Sequence, residues 1–322
     1  MSSASRFSIA RAEPPGVAVE LAARYVSAAS LDVRGGQPVL SAHATEALPA
    51  GALVPSLTAA NIIDRAAVSE ALGRVLEKVG RPRRVGLIIP DPCAKVSFVR
   101  FEHVPARSQD LDQLIRWQVR KAAPFPIEES QIGHVRGLRM DEGQEFIVTL
   151  AKRDIILEYE RLLAASGAHA GLVDISTFNV INAVLSGANA PSADWLLVNV
   201  AADYASISIL RGGQLMFFRS RVADNEGTLA DLVHQTAMYY EDRLKGEGLS
   251  RVLISGASAS QSPQATDVEQ VRRSLQDRLS TAVETVDPRN AVTLTDRIAA
   301  APAFLDTLAP VVGLLLRGRE AA

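Results

Sequence analysis

From Gly16 to Ile89 the spacing of apolar positions changes several times. Val17, Ala18, Val19 and Leu21 make Gly16–Leu21 a short apolar run that predicts a buried strand, and Arg24–Leu31 reads as its hairpin partner. Gly35-Gly36 turns the chain into a third strand, Pro38–Ala44. Asp64–Val79 then switches to helical spacing, with Ala67, Val68, Ala71, Leu72, Val75, Leu76 and Val79 on one side. Arg81–Arg84 breaks that pattern, and Val85–Ile89 is a short apolar strand. The first unit therefore reads β-β-β-α-β.

A second pattern follows. Val96–Phe101 predicts a strand, and Ser108 is the expected N-cap of a helix with Asp110 and Asp112 near its start and Leu111, Leu114, Ile115 and Val119 on one side. That helix stops before Pro124. Gln131–Arg139 and Glu145–Ala151 predict a hairpin across Asp141–Gly143, and Asp154–Ser166 a helix ended by Gly167. Residues 96–166 thus form a compact β-α-β-β-α insert, within the size range of a small domain. Leu172–Asp174 and the helix Phe178–Leu185 return to the first unit, and Gly187–Ala193 reads as a linker.

The strand-rich pattern then repeats. Trp195–Val200, Ser206–Leu210 and Gln214–Arg219 predict three strands, followed by a helix through Leu229, Leu232, Val233, Ala237, Tyr240 and Leu244. Val252–Ile254 is a strand running into Ser255-Gly256, Val268–Leu279 a helix, Val283–Val286 a strand and Leu305–Arg317 the last helix. Two halves of like element order imply a duplicated α/β fold. The expected layout is a flexible leader over 1–15 and a first subdomain over 16–95 and 167–190, joined by the final helix 305–317. The insert spans 96–166 and a second lobe 193–304.

Composition narrows the function classes. The 322 residues carry a net charge of −2 with Lys and Arg spread along the chain, which leaves no basic footprint for nucleic acid. One cysteine, Cys93, excludes an intrachain disulfide framework, and the five histidines (His43, His103, His134, His169, His234) show no metal spacing. No apolar run reaches the ~18 residues of a membrane span; Pro310 and Gly313 interrupt the longest, Leu308–Leu316. The start of the chain lacks a signal-peptide core, so the expected location is the cytoplasm.

Four stretches stand out in this order: IRWQVRKAAPFPIEE (Ile115–Glu129), GAHAGLVD (Gly167–Asp174), the strand-turn-strand Trp195–Arg219, and APVVGLLLRG (Ala309–Gly318). Together they resemble the PilM family, the actin-like component of type IV pilus assembly, related to the cell-division protein FtsA. The first, with Pro124-Phe125-Pro126, is the most specific. The resemblance implies an actin-like (ribonuclease H-like) fold in which an ATP site lies between two β-hairpins. In that fold each hairpin opens with an Asp that orients Mg²⁺, followed two residues on by a Gly that lets backbone N–H groups approach phosphate.

At those positions this chain has Glu20 and Ala22 in VAVELAARYV, and Asn199 and Ala201 in LLVNVAADYASI. Asn199 lacks the charge to hold a cation, and Glu20 is one methylene longer than Asp. Each Ala would cost about 1–2 kcal/mol if its turn needed left-handed torsions. Asp203 is an alternative ligand. The adenosine loop, usually Ser-Gly-Gly, reads Ser255, Gly256 and Ala257. Only Val222–Thr228 separates the third strand from the next helix, where the family inserts an outer subdomain; the second lobe is therefore expected to lack most of it. The site is expected to be degenerate and inactive, with ATP and Mg²⁺ as cofactors only if it still functions, and no other cofactor or metal.

The resemblance also implies a partner: the cytoplasmic N-terminal tail of an inner-membrane PilN-like protein, bound between the first subdomain and the insert. The residues expected to hold it are Val99, Phe101, Leu114, Trp117 and Phe125, by addition of an extended peptide to a strand edge. For Leu114 and Ile115 the reading as insert core is preferred. Arg116, Arg120 and Lys121 form a basic stripe that suits a helix C-terminus, and contact with anionic lipid is a weaker reading of it. Peripheral attachment to the inner membrane through the partner follows, with other pilus platform proteins and self-association as further options. The rival readings are an active pilus ATPase and a type II secretion L-like component, the latter expected to continue into a membrane span.

Overall fold

The computed structural model describes residues 15–140, 142–222, 228–258, 268–279, 281–295 and 301–317. The leader expected over 1–15 lies, apart from Pro15, outside the described residues, as do residues 223–227 of the short connection. The first sheet has six strands. Its antiparallel part is β1 (Val17–Leu21), β2 (Tyr25–Arg34) and β3 (Gln37–Ala47). To β1 are added in parallel β4 (Arg84–Ile89) and then β8 (His169–Ile175). Helix α1 (Arg65–Lys78) buries Val68, Ala71, Leu72, Val75 and Leu76, the helical stripe read from the sequence, and starts at Asp64, whose side chain accepts from the Ala67 N–H.

The second sheet repeats the topology. Strands β9 (Asp194–Val200), β10 (Tyr204–Arg211) and β11 (Gln214–Val222) are antiparallel, with β12 (Arg251–Ser255) and β13 (Val283–Thr285) parallel on the β9 side. The order β3-β2-β1-β4-β8 thus matches β11-β10-β9-β12-β13 strand for strand. Helices α5 (Leu229–Leu244), opened by a Thr228–Asp231 capping box, and α6 (Val268–Leu279) complete the second lobe.

Between β4 and β8 lies the insert. Its sheet runs β5-β7-β6, from β5 (Ala94–Phe101), β6 (Ser130–Met140) and β7 (Gly143–Lys152), with helices α2 (Ser108–Val119) and α3 (Arg153–Ala165). Alternation along β7 decides what each face meets. Phe146, Val148 and Leu150 pack with Ile115 and Val119 of α2. Ile147 and Ala151 point the other way and join Ile155, Tyr159, Leu162 and Leu163 of α3 in the main core beneath the first sheet. The insert is therefore moored through α3, while α2 lies on the outer face. Arg107, not Ser108, occupies the cap position of α2, and no side chain caps it; Asp110 in the first turn meets the helix dipole instead.

The chain crosses back to the first unit through α4 (Ser176–Ser186) and α7 (Pro302–Leu316), both almost wholly buried. They touch backbone to backbone: a Cβ at Gly313 would lie 1.6 Å from the Asn179 carbonyl oxygen, so only glycine permits this crossing. The two-residue strand β14 (Thr293–Leu294) pairs with Val39 and Leu40 on the outer edge of β3. The chain thus rejoins the first sheet before residue 304, the limit expected for the second lobe. Two residues are too few to show a strand period, which is why the pattern hid it.

Candidate functional site

The two hairpins meet where the lobes face each other. Their turns are copies: Ala22-Ala23-Arg24-Tyr25 joins β1 to β2 and Ala201-Ala202-Asp203-Tyr204 joins β9 to β10. In each the first alanine N–H donates to the tyrosine carbonyl at 2.9 Å. Neither Ala22 nor Ala201 has a positive φ. The strain considered for them from the sequence is absent, because this turn closes with ordinary torsions.

Glu20, Ala22, Asn199, Ala201 and Gly256 converge on one cavity, together with Tyr25 and Asp306. Ser255 and Ala257, expected at the same site, do not line it. The cavity has a volume of about 20 Å³. That is room for about one water, against the several hundred Å³ of an ordinary ligand pocket.

Side chains of this chain fill the remaining space. The Glu20 carboxylate accepts from Ser176 Oγ at 2.7 Å and from the Tyr25 hydroxyl at 3.1 Å. Asp91, buried just after β4, accepts from the Thr177 N–H at 3.0 Å, from the Thr177 hydroxyl and from Ser206 Oγ of β10. Asn199 Nδ2 donates across the cleft to Thr177 Oγ1 at 2.9 Å. Asp306 of α7 accepts from the backbone N–H groups of Gly256 (2.9 Å) and Ser258 (2.7 Å). The amides expected to face adenosine are thus engaged by a carboxylate. Gly256 is needed here on two counts: its φ is +79°, and a Cβ would stand 2.2 Å from the Val200 carbonyl oxygen. Ser255 and Ala257 beside it are buried.

Burial sets the electrostatics. It raises Glu20 to about 7, against the pull of its Ser176 and Tyr25 hydrogen bonds, and raises Asp174 to about 7 although Arg317 stands 3.7 Å away. Asp91 is raised for the same reason, partly offset by its hydroxyl donors, and burial lifts Asp203 to about 6. Asp203 Oδ1 and Asp174 Oδ2 are both buried and make no hydrogen bond. Among the described residues no group of three or more His, Cys, Asp and Glu is arranged to hold a metal ion. Cys93 is inert: its thiol donates to Asn61 at 3.0 Å and burial pushes it up to about 12. A larger cavity of about 520 Å³, bounded by Val184, Asn189, Arg251, Glu284, Asp287 and Asn290, contains none of the residues singled out from the sequence.

Asp91, Thr177, Ser206 and Asp306 escaped the sequence reading, since each meets its partner across a long stretch of chain. Asp91 between two prolines after an apolar strand, and Thr177, Asn179 and Asn182 inside an otherwise apolar helix, were the available signals.

The residues expected to bind a partner divide. Val99, 7% exposed, is core of the insert, and Phe101 and Phe125 are half-buried against the same cluster. Leu114 is half-buried and Trp117 is 69% exposed. All five sit on the α2 face of the insert sheet, away from the seam with the first unit. At that seam the exposed apolar side chains are Val54 (45%) and Ile63 (62%). They flank a loop whose Asn61 and Ile62 N–H groups each donate to α3 Glu158 at 2.9 Å.

A duplicated β-β-β-α-β frame, an insert between β4 and β8, and two facing hairpins define an actin-like ATPase fold. The model of the family described as type IV pilus assembly protein PilM matches residues 18–276, and the chain belongs to that family. Among solved structures it is similar to one titled PilM-PilN type IV pilus biogenesis complex, with a TM-score of 0.78 and 16% identity over 97% of this chain and 100% of that one. A Bacteroides thetaiotaomicron protein with an actin-like ATPase fold gives 0.49 at 11% identity, covering 85% of this chain and 91% of that one. The cytoplasmic domain of EpsL, an inner-membrane component of the Vibrio cholerae type II secretion system, gives 0.46 at 14%, covering 74% and 80%. Comparison with the curated proteins yields no match. Among the described residues no helix is long and apolar enough to cross a membrane.

Proposed function

We propose that this protein is an adaptor of type IV pilus assembly that binds the cytoplasmic tail of a PilN-like inner-membrane protein and works without turning over ATP. The observation that carries the second half is the filled site: the 20 Å³ cavity and the self-made hydrogen bonds around it leave no volume for a triphosphate. Asn199 in place of an anionic anchor lowers the charge available to hold Mg²⁺. Calorimetry of the purified chain with Mg·ATP tests this reading. No heat of binding is expected, and sub-micromolar affinity would overturn it.

The partner half rests on family membership and on the likeness to a PilM-PilN complex. The seam between the first unit and the insert suits a short apolar tail, because Val54 and Ile63 are exposed beside a loop held rigid by Glu158. Ile63→Asp is expected to weaken a PilN-like tail peptide by tenfold or more in fluorescence polarisation, with Trp117→Ala leaving affinity unchanged. The opposite pattern would move the site to the outer face of α2.

A further inference from the structure

The C-terminal half of α2 gathers exposed basic side chains around an exposed tryptophan. Several basic side chains elsewhere are paired with carboxylates: Arg74 and Lys78 with Glu46, Arg100 with Glu145, Lys152 with Glu129, Arg211 with Asp194, Arg251 with Glu284. Arg116, Arg120 and Lys121 have no carboxylate partner among the described residues. Arg116 donates to the Ile127 carbonyl, and nearby Lys95 donates to the Ala122 carbonyl at 2.7 Å, which keeps its charge beside the end of α2. Trp117 stands among them, on the same side of the helix as Leu114 and Lys121. The acidic residues of α2, Asp110 and Asp112, lie at its opposite end, and Asp112 is held by His134 at 2.8 Å. Glu128, past the Pro-Phe-Pro turn, and Asp110, at the far end of the helix, are exposed acids that make no ion pair among the described residues.

From this geometry we infer that the C-terminal half of α2 docks on an anionic lipid surface, with Trp117 entering the headgroup layer and Arg116, Arg120, Lys121 and Lys95 meeting lipid phosphates. Tryptophan favours the interface between headgroups and acyl chains, and each cation near such a surface strengthens binding about fivefold. Charge favours lipid over peptide: an exposed tryptophan on a helix beside several cations is the arrangement of an interfacial helix. On a chain of net charge −2 a local cationic cluster also orients the molecule, presenting this face to the membrane.

The chain's two tryptophans make the test direct, since Trp195 is fully buried and Trp117 is not. The full-length protein is mixed with vesicles of phosphatidylcholine alone or phosphatidylcholine with phosphatidylglycerol, and followed by co-sedimentation and tryptophan emission. Binding to the anionic vesicles only, weakened by salt, with a blue shift that disappears in Trp117→Phe, is expected. Arg120→Glu/Lys121→Glu should lose at least tenfold in binding, while Arg120→Lys/Lys121→Arg keeps it. These residues are exposed, so both variants should melt like the parent. Absence of anionic-vesicle binding overturns the inference, as does unchanged binding of the charge-reversed variant, or binding with no change in Trp117 emission. No peptide is present, so failure here leaves the tail reading standing.

Discussion

Replacing Glu20 with Gln separates a metal anchor from a neutral hydrogen-bonding group. Glu20 is fully enclosed and its carboxyl is raised from 4.5 to about 7, chiefly by burial. Between those values the folded protein holds a proton that the unfolded chain has released. By linkage, stability is then complete below about 4.5 and is lost as pH rises through about 7. At ~1.4 kcal/mol per tenfold, the loss attributable to Glu20 has a ceiling of about 3 kcal/mol at neutral pH and above. Gln keeps both hydrogen bonds, because its oxygen accepts from Ser176 while its amide donates to the Tyr25 oxygen. Urea unfolding of the two proteins from pH 4.5 to 8 is the assay. The difference between them isolates this one group from His43, which burial lowers to about 4 and whose contribution has the opposite slope. Glu20→Gln should match the parent at the acidic end and exceed it by up to about 3 kcal/mol at pH 8. A variant less stable than the parent at pH 8 would refute the reasoning and return Glu20 to the role of an ionised ligand.

Four further outcomes follow from the packing. Gly313→Ala should destabilise by about 3 kcal/mol or more in thermal unfolding, since its methyl meets the Asn179 carbonyl rather than a side chain that can move. Asp91→Ala leaves the Thr177 amide and two hydroxyls without an acceptor and should cost about 2 kcal/mol or more beyond Asp91→Asn, read from denaturant midpoints. Trp117→Ala should change stability by no more than about 0.5 kcal/mol, because the side chain is largely in water. Cys93 should resist maleimide in the native state and react fully in urea, as mass spectrometry will show.

Much of this fold was legible because its elements declare their period. The stripe from Val68 to Val79 and the runs Val85–Ile89 and Trp195–Val200 are where the residues predict them. The insert was legible as a unit but not in its orientation. Which helix faces the first unit depends on whether Phe146 or Ile147 points inward along β7, and both are apolar. For that reason Val99, Phe101, Leu114, Trp117 and Phe125 looked like one surface at the seam and are instead a buried residue, three half-buried ones and an exposed one on the far side. The candidate site was half legible. Glu20, Ala22, Asn199, Ala201 and Gly256 do converge, yet their partners Asp91, Thr177 and Asp306 come from segments whose spacing carries no sign of a shared destination.

The duplication explains why such a site closes on itself. Glu20 and Asn199 are equivalent positions, each facing a serine across its hairpin, Ser27 and Ser206. In an arrangement built for nucleotide, both positions would be anionic and a cation between them would hold the charge; a bound cation reverses the burial penalty on a carboxylate. With Asn on one side that balance is gone, and the groups left find partners across the cleft. Asn199 reaches Thr177, Ser206 reaches Asp91, and Asp306 takes the amides of Gly256 and Ser258. To admit a triphosphate these four links must break. At roughly 1 kcal/mol each for a net buried hydrogen bond, opening costs about 4 kcal/mol. A ligand that binds only the opened form then loses roughly a thousandfold in apparent affinity. The same links join the two lobes across the cleft, so opening the site and loosening the lobes are one event.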